Sequence, residues 1–229
     1  MKIDTTYNVN CFDFFSTMED KSVDYVFTSP PYNRKRNDKY ALYNDTLSDY
    51  YGFLLNAIEE SRRVARKAVI MNLQINYYNS ADVYKIMGTY HPLIRNMFVW
   101  EKTNPLPANG FNITNAYEIF LVIADKPLKS NRTYTKNVIH TSVYSKMPKN
   151  HRAVMHPDVA RFFIENFTKE NELIFDPFMG IGTTAKICKE LKRHFIGCEL
   201  VKEYCDVANE QDHPTEKGGA RSESNSVND

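Results

Sequence analysis

Short apolar runs rich in β-branched and aromatic residues recur along the chain: "VDYVFT" at 23–28, "AVIMNL" at 68–73, "IRNMFVW" at 94–100, "EIFLVIA" at 118–124, "ELIFD" at 172–176 and "HFIGCEL" at 194–200. Their length and residue types predict strands. Between them, "LSDYYGFLLNAIEESRRVAR" (47–66), "PDVARFFIENF" (157–167) and "TAKICKELKR" (184–193) carry apolar residues at helical spacing. Strands alternating with helices predict an α/β chain, a mostly parallel sheet with helices on both faces. In such sheets ligands sit at the carboxyl ends of the strands. Two unusual stretches stand there, Ser29-Pro30-Pro31-Tyr32 after the first of these strands and Asp176-Pro177-Phe178 at the end of the fifth. One proline suffices to stop a strand, because it has no N–H to give the ladder. A second proline, held between a hydroxyl and a ring, needs another reason.

The 229 residues suit one α/β domain, whose core needs no disulfide staples. The four cysteines, Cys11, Cys188, Cys198 and Cys205, lack C-x-x-C spacing and follow no secretory signal, so reduced, inert thiols in a cytoplasmic protein are expected. The apolar runs fall short of the ~20 residues of a membrane span, and the histidines lack metal-ligand spacing. Neither a membrane nor a metal is expected. Residues 209–229 hold almost nothing that can be buried and are expected to form a disordered tail behind a domain at 1–208.

A net charge of +1 excludes little, but its distribution is uneven. Residues 126–152 hold Lys126, Lys129, Arg132, Lys136, Lys146, Lys149 and Arg152, with no Asp or Glu and with Tyr134 and Tyr144 between them. Unopposed positive charge interleaved with aromatics predicts an insertion that faces a polyanion. A smaller patch, "RKRNDK" at 34–39, places Arg34, Lys35 and Arg36 directly after the double proline.

"ELIFDPFMGIGTTAKICKELKRHFIGCEL" (172–200) reads as strand, glycine turn, helix and strand. Gly180 and Gly182 permit a tight turn and close approach of backbone to ligand, and Thr183 or Thr184 is expected to cap the helix. Glu199 stands at the tip of the next strand, where a carboxylate can accept both hydroxyls of a ribose. The stretch from Gly180 to Ala185 also fits the G-x-G-x-x-A form of a dinucleotide fingerprint. A carboxylate at Asp176 would repel a pyrophosphate and suits a cationic ammonium, as in the methionine part of S-adenosylmethionine.

Together the motifs resemble a family, the DNA amino-methyltransferases that methylate N4 of cytosine or N6 of adenine. Their (D/N/S)-P-P-(Y/F/W) motif matches Ser29, Pro30, Pro31 and Tyr32, and their D-P-F-x-G-x-G-T-T motif matches Asp176, Pro177, Phe178, Gly180, Gly182, Thr183 and Thr184. The order, proline motif first, is that of the permuted β group. The resemblance covers about residues 5–208 and includes "WEKTNPLP" (100–107) and "YEIFLV" (117–122), similar to the family's later strand motifs. It implies a permuted Rossmann-like fold with a seven-stranded sheet, S-adenosylmethionine as cofactor and double-stranded DNA as partner, in a bacterial, archaeal or phage-infected cell. It also puts the target-recognition region at 126–152, making Lys129, Arg132 and Lys136 DNA contacts beside Arg34, Lys35 and Arg36. Residues 151–167 take the place of the segment bordering the methionine pocket. Val9-Asn10-Cys11 replaces the usual Gly-Asp-Cys, which implies that Asn10 and Cys11 lie at the cofactor's adenine. The short recognition region implies that a second copy, as a homodimer, or another protein completes the grip.

The resemblance also explains the prolines. An exocyclic amine is a poor nucleophile because its lone pair is delocalised into the base. If the Ser29 hydroxyl and the Pro30 carbonyl accept the two amine hydrogens, the lone pair is freed toward the methyl group. The prolines fix φ and hold those acceptors in place, while Tyr32 stacks on a base flipped from the duplex. Ser rather than Asp at position 29 favours cytosine N4 in the resembled family. Carbon-5 chemistry lacks its Pro-Cys nucleophile here, and protein glutamine methyltransferases carry the motifs in the reverse order. An RNA amino-methyltransferase, a silent nucleic-acid-binding module and, more distantly, a dehydrogenase remain as rival readings.

Overall fold

A computed structural model describes residues 1–35, 45–105, 114–143 and 154–210. In chain order the elements are β1 (Thr5–Asn8), α1 (Cys11–Phe15), β2 (Val23–Thr28), α2 (Tyr50–Val64), β3 (Ala65–Leu73), α3 (Ser80–Tyr90), β4 (Ile94–Lys102), β5 (Tyr117–Ile123), β6 (Val138–Thr141), α4 (Pro157–Phe167), β7 (Leu173–Asp176), α5 (Thr183–Glu190), β8 (His194–Glu199) and α6 (Lys202–Glu210). The strands form one sheet in the order β1-β8-β7-β2-β3-β5-β4-β6, in which β5 alone runs antiparallel to its neighbours. The expected mostly parallel α/β sheet is therefore present, with eight strands rather than seven. The additional one, β6, pairs with β4 inside the stretch expected as a basic insertion, because Val138 and Ile139 give that stretch an apolar strand of its own.

Successive side chains on a strand point to opposite faces, and here both faces are covered. On β5, Ile119, Leu121 and Ile123 pack into one apolar cluster with Leu54 and Ile58 of α2 and Val83 and Ile86 of α3. Phe120 and Val122 pack into the other, with Val159 and Phe163 of α4, Ala185 of α5 and Ala208 of α6. Phe163 sits at the centre of that second layer, 4.3 Å from the ring of Phe120 and 5.2 Å from that of Phe98. Burial on both sides explains why the central strands read as continuous apolar runs. All four cysteines are buried free thiols, and among the described residues no helix is long and apolar enough to cross a membrane.

The last helix runs past the expected domain boundary at 208. α6 runs to Glu210, and Asn209 is docked on the edge strand: its Oδ1 accepts from the Thr6 amide at 3.0 Å and its Nδ2 donates to the Thr6 carbonyl at 2.9 Å. The amide pair satisfies backbone groups that β8 cannot reach. Residues 211–229 lie outside the described residues.

Asn209→Ala should cost about 1 kcal/mol for the lost hydrogen bonds. A chain ending at 208 should melt below one ending at 210, and equal melting temperatures would show that Asn209 contributes nothing.

Candidate active site

Four neighbouring parallel strands, β1, β8, β7 and β2, end together, and most of the residues singled out above lie on those ends. Asp176 closes β7 at 4 % exposure. Its Oδ1 accepts from the Thr28 hydroxyl at 2.7 Å and the Phe178 amide at 3.1 Å, and its Oδ2 accepts from the Thr184 hydroxyl at 2.6 Å. Burial pushes its pKa up to about 6, against the opposing pull of those three donors. Asp176 thus ties β2, the glycine turn and α5 together instead of facing open solvent, as the expected ammonium partner would. The same bond takes Thr184 away from capping. The N-cap of α5 is Gly182, with no side-chain cap bond.

The turn itself needs glycine. Gly180 and Gly182 have φ of 59° and 92°, and a Cβ on Gly182 would meet the Ala208 Cα of α6 at 2.9 Å. The Gly180 amide donates to Glu199 Oε2 at 2.8 Å, and Val201 N donates to Glu199 Oε1, also at 2.8 Å. Burial raises the Glu199 pKa above that of a free carboxyl. Each of its oxygens has a lone pair beyond the one used. Pro177 is buried, whereas Phe178 is half-buried against Phe53, with ring centroids 5.6 Å apart. Across β8, Asn10 is exposed and caps α1 by accepting from Phe12 N at 2.9 Å. Beside it Cys11 belongs to the apolar core, as expected of an inert thiol, and burial pushes that thiol up to about 12.

After β2 the chain enters Ser29-Pro30-Pro31-Tyr32. Ser29 is half-buried, its hydroxyl 2.7 Å from that of Tyr32 and 3.2 Å from Asn72 Oδ1. The Tyr32 hydroxyl also bonds Asn72 Oδ1 and Glu118 Oε2, the latter at 3.0 Å. Glu118, 4 % exposed, is ion-paired with Lys102. Desolvation and the adjacent Glu118 charge raise the Tyr32 phenol well above its usual range, so it stays neutral. Backbone contacts pin the rest of the loop. Tyr50 OH donates to the Pro31 carbonyl at 2.9 Å, and Asn76 and Asn79 donate to the Tyr32 carbonyl at 2.9 and 2.7 Å. Asp45 takes the amides of Asn33 and Arg34, which supports the left-handed backbone at Asn33 (φ 50°). With the Arg34 guanidinium 5.3 Å from its ring centre, Tyr32 is more enclosed than a simple stacking platform.

A family model described as "DNA methylase" matches residues 23–210, spanning both motifs. The chain belongs to the N6/N4 DNA methylase family. It is 28 % identical to the type II methyltransferase M.BglII of Bacillus subtilis over 88 % of this chain and 67 % of that one. With M1.MboII of Moraxella bovis it shares 22 % identity over 91 % and 96 % of the two chains. Among solved structures, the fold matches the cytosine-N4-specific PvuII DNA methyltransferase with a TM-score of 0.78, at 17 % identity over 93 % and 87 % of the two chains. It matches M1.HpyAVI in complex with S-adenosylmethionine with a TM-score of 0.67, at 23 % identity over 90 % and 98 %.

The basic residues of this methylase divide. Arg34 and Lys35 lie two and three residues after Tyr32, with Arg34 over its ring and Lys35 over that of Tyr78, beside the proline motif. Lys129 and Arg132 follow the carboxyl end of antiparallel β5 and so lie at the opposite edge of the sheet, where Asn131 bonds the last turn of α4 and Arg132 pairs with Glu165 at 3.2 Å. Lys136 precedes β6, level with the middle of β4. A nine-residue strand spans roughly 30 Å, which is about the separation between that edge and the Ser29 end of the sheet. Arg36 and residues 144–153 lie outside the described residues. Sequence reading missed Thr28, Asn72, Glu118 and Lys102. The polar Asn72 inside an apolar run was the available signal, but only the register that sets β5 between β3 and β4 reveals its neighbours.

Because the folded state raises the Asp176 pKa from 3.8 to about 6, its contribution to stability is fully present below about pH 4 and lost as pH rises through about 6. The change is on the order of 3 kcal/mol. Asp176→Asn removes this titration, so the stability of the variant relative to wild type should improve as pH rises over that window. A gap that stays constant in pH-dependent thermal unfolding would refute the assignment.

Proposed function

We propose that this methylase transfers a methyl group from S-adenosylmethionine to the exocyclic amine of a base flipped out of double-stranded DNA, at N4 of cytosine. The observation that carries the reading is the Thr28–Asp176–Thr184 tie, which sets the Ser29 loop directly beside the glycine turn. The donor set suits the cofactor. Glu199 has lone pairs for a ribose, Asn10 stands nearby for an adenine edge, and the turn at Gly180, Gly182 and Thr183 with Phe178 is the proposed border of the methionine part. Asp176 supports that wall from behind. When bound, S-adenosylmethionine supplies a sulfonium methyl whose bonding pair stays on sulfur as a neutral thioether.

The chain's own residues then prepare the amine. Ser29 Oγ and the Pro30 carbonyl are the proposed acceptors for its two hydrogens, held beforehand by the proline backbone and by the bonds to Pro31 and Tyr32. The neutral hydroxyl at position 29, set against the Asp usual in β-group adenine enzymes, supports cytosine. N6 of adenine is the second reading, since both amines present the same two hydrogens. The relatives are named as type II methyltransferases of bacteria, and bacterial restriction-modification is the proposed setting here, with a second copy completing the DNA grip.

Ser29→Ala should keep cofactor affinity and lose about 10²-fold in methyl-transfer rate. Digesting treated DNA to nucleosides and weighing the product by mass spectrometry tests the base: N6-methyladenine alone would overturn the cytosine assignment, and methylated RNA without methylated DNA would overturn the substrate. In salt-dependent DNA binding, Lys35→Glu should lower the slope by about one, as for one lost phosphate contact, while Arg132→Glu should leave it unchanged. The reverse result would return the DNA surface to the basic stretch at 126–152.

A further inference from the structure

When the amine nitrogen uses its lone pair to form the new N–C bond, it is left with one hydrogen too many, and that hydrogen must leave as a proton. We propose that it leaves inward, through the hydroxyls of Ser29 and Tyr32 to the buried carboxylate of Glu118, so that Tyr32 acts as a proton relay and Glu118 as the acceptor; this rests on the reading of the site given above. The spacing supports each transfer. Ser29 Oγ and Tyr32 OH are 2.7 Å apart, and Tyr32 OH and Glu118 Oε2 are 3.0 Å apart. One N–H bond breaks as Ser29 Oγ takes the proton. The Ser29 hydrogen passes to Tyr32, and the Tyr32 hydrogen passes to Glu118. Both hydroxyls end neutral, the product amine is neutral, and the carboxylate has become a carboxylic acid. It resets by losing that proton to water.

The neighbours favour this route over a pure positioning role. The phenol resists ionisation, so it can pass a proton on but not replace Glu118 as the anion. Asn72, fully buried, bonds both hydroxyls but is an amide and takes no proton at neutral pH. Its Nδ2 has no partner, and turning the amide over would let Nδ2 donate to the hydroxyl oxygens. The hydroxyl hydrogens would then all point one way, from Ser29 through Tyr32 to Glu118. The charged groups facing the relay are Lys102 from β4, ion-paired with Glu118, and Arg34 from the loop beside the Tyr32 ring; Gln74 adds a neutral contact to Glu118 at 3.4 Å.

The test is the single-turnover methyl-transfer rate as a function of pH, with S-adenosylmethionine and duplex DNA affinities measured alongside. Tyr32→Phe keeps the ring and should slow transfer about 10²-fold with both affinities unchanged. Glu118→Gln should slow it similarly and abolish the fall in rate at low pH. Since Glu118→Gln leaves Lys102 buried without a counter-charge, the Glu118→Gln/Lys102→Met double variant is assayed beside it. Infrared spectra of the protein without cofactor or DNA give a second readout. A carboxylic-acid band that appears on acidification should be absent from Glu118→Gln. Tyr32→Phe transferring at the wild-type rate, or Glu118→Gln and the double variant retaining the low-pH fall, would overturn the relay and leave the proposed reaction standing. Wild-type protein that methylates no DNA would overturn both.

Discussion

The carboxylate of Asp176 joins the end of β2, through Thr28 148 residues away in sequence, to two nearby pieces of chain, the turn after β7 through the Phe178 amide and the start of α5 through Thr184. Burying a carboxylate with no cation bonded to it is expensive, and here only three neutral donors offset that cost. The raised pKa is the residue of the imbalance. What the arrangement secures is geometry. Thr28 immediately precedes Ser29, so the loop proposed to hold the reacting amine is tied to the turn proposed to hold the methyl donor.

Around that tie, the permuted chain order becomes a simple spatial arrangement. The proline motif comes early and the glycine motif late, but β2 and β7 are hydrogen-bonded neighbours. Antiparallel β5 has the complementary effect. Because it runs against β3 and β4, its first residues come to the edge where theirs end, bringing Glu118 to Asn72 and Lys102. A fully parallel sheet would have put Glu118 at the far edge, and the polar network under Tyr32 would lack its charge.

Legibility in the sequence followed burial. β2 and α4 match the predicted 23–28 and 157–167 because both carry strong, uninterrupted apolar patterns. β3 starts three residues before the predicted strand, since Ala65 and the exposed Arg66 read as the end of the preceding helix and the exposed Lys67 interrupts the apolar run. β1 and β6 were missed as four-residue edge strands with weak apolar patterns. Among the site residues, the two motifs were legible because proline and glycine constrain local backbone wherever they occur. The Tyr32–Asn72–Glu118–Lys102 network was not, because it depends on the register of three strands. Composition showed that 126–152 is basic but could not show which edge of the sheet Lys129 and Arg132 would occupy.

The Asn209 side chain has a consequence for the protein in crowded solution. An outermost strand offers unpaired backbone groups on which a foreign strand can dock and begin aggregation. On β1 the outward-facing amide and carbonyl of Thr6 are both occupied by one carboxamide, which imitates a single residue of a ninth strand and then turns away into α6. At that position the sheet is closed to an incoming strand by a side chain, leaving no free backbone pair to start a ladder.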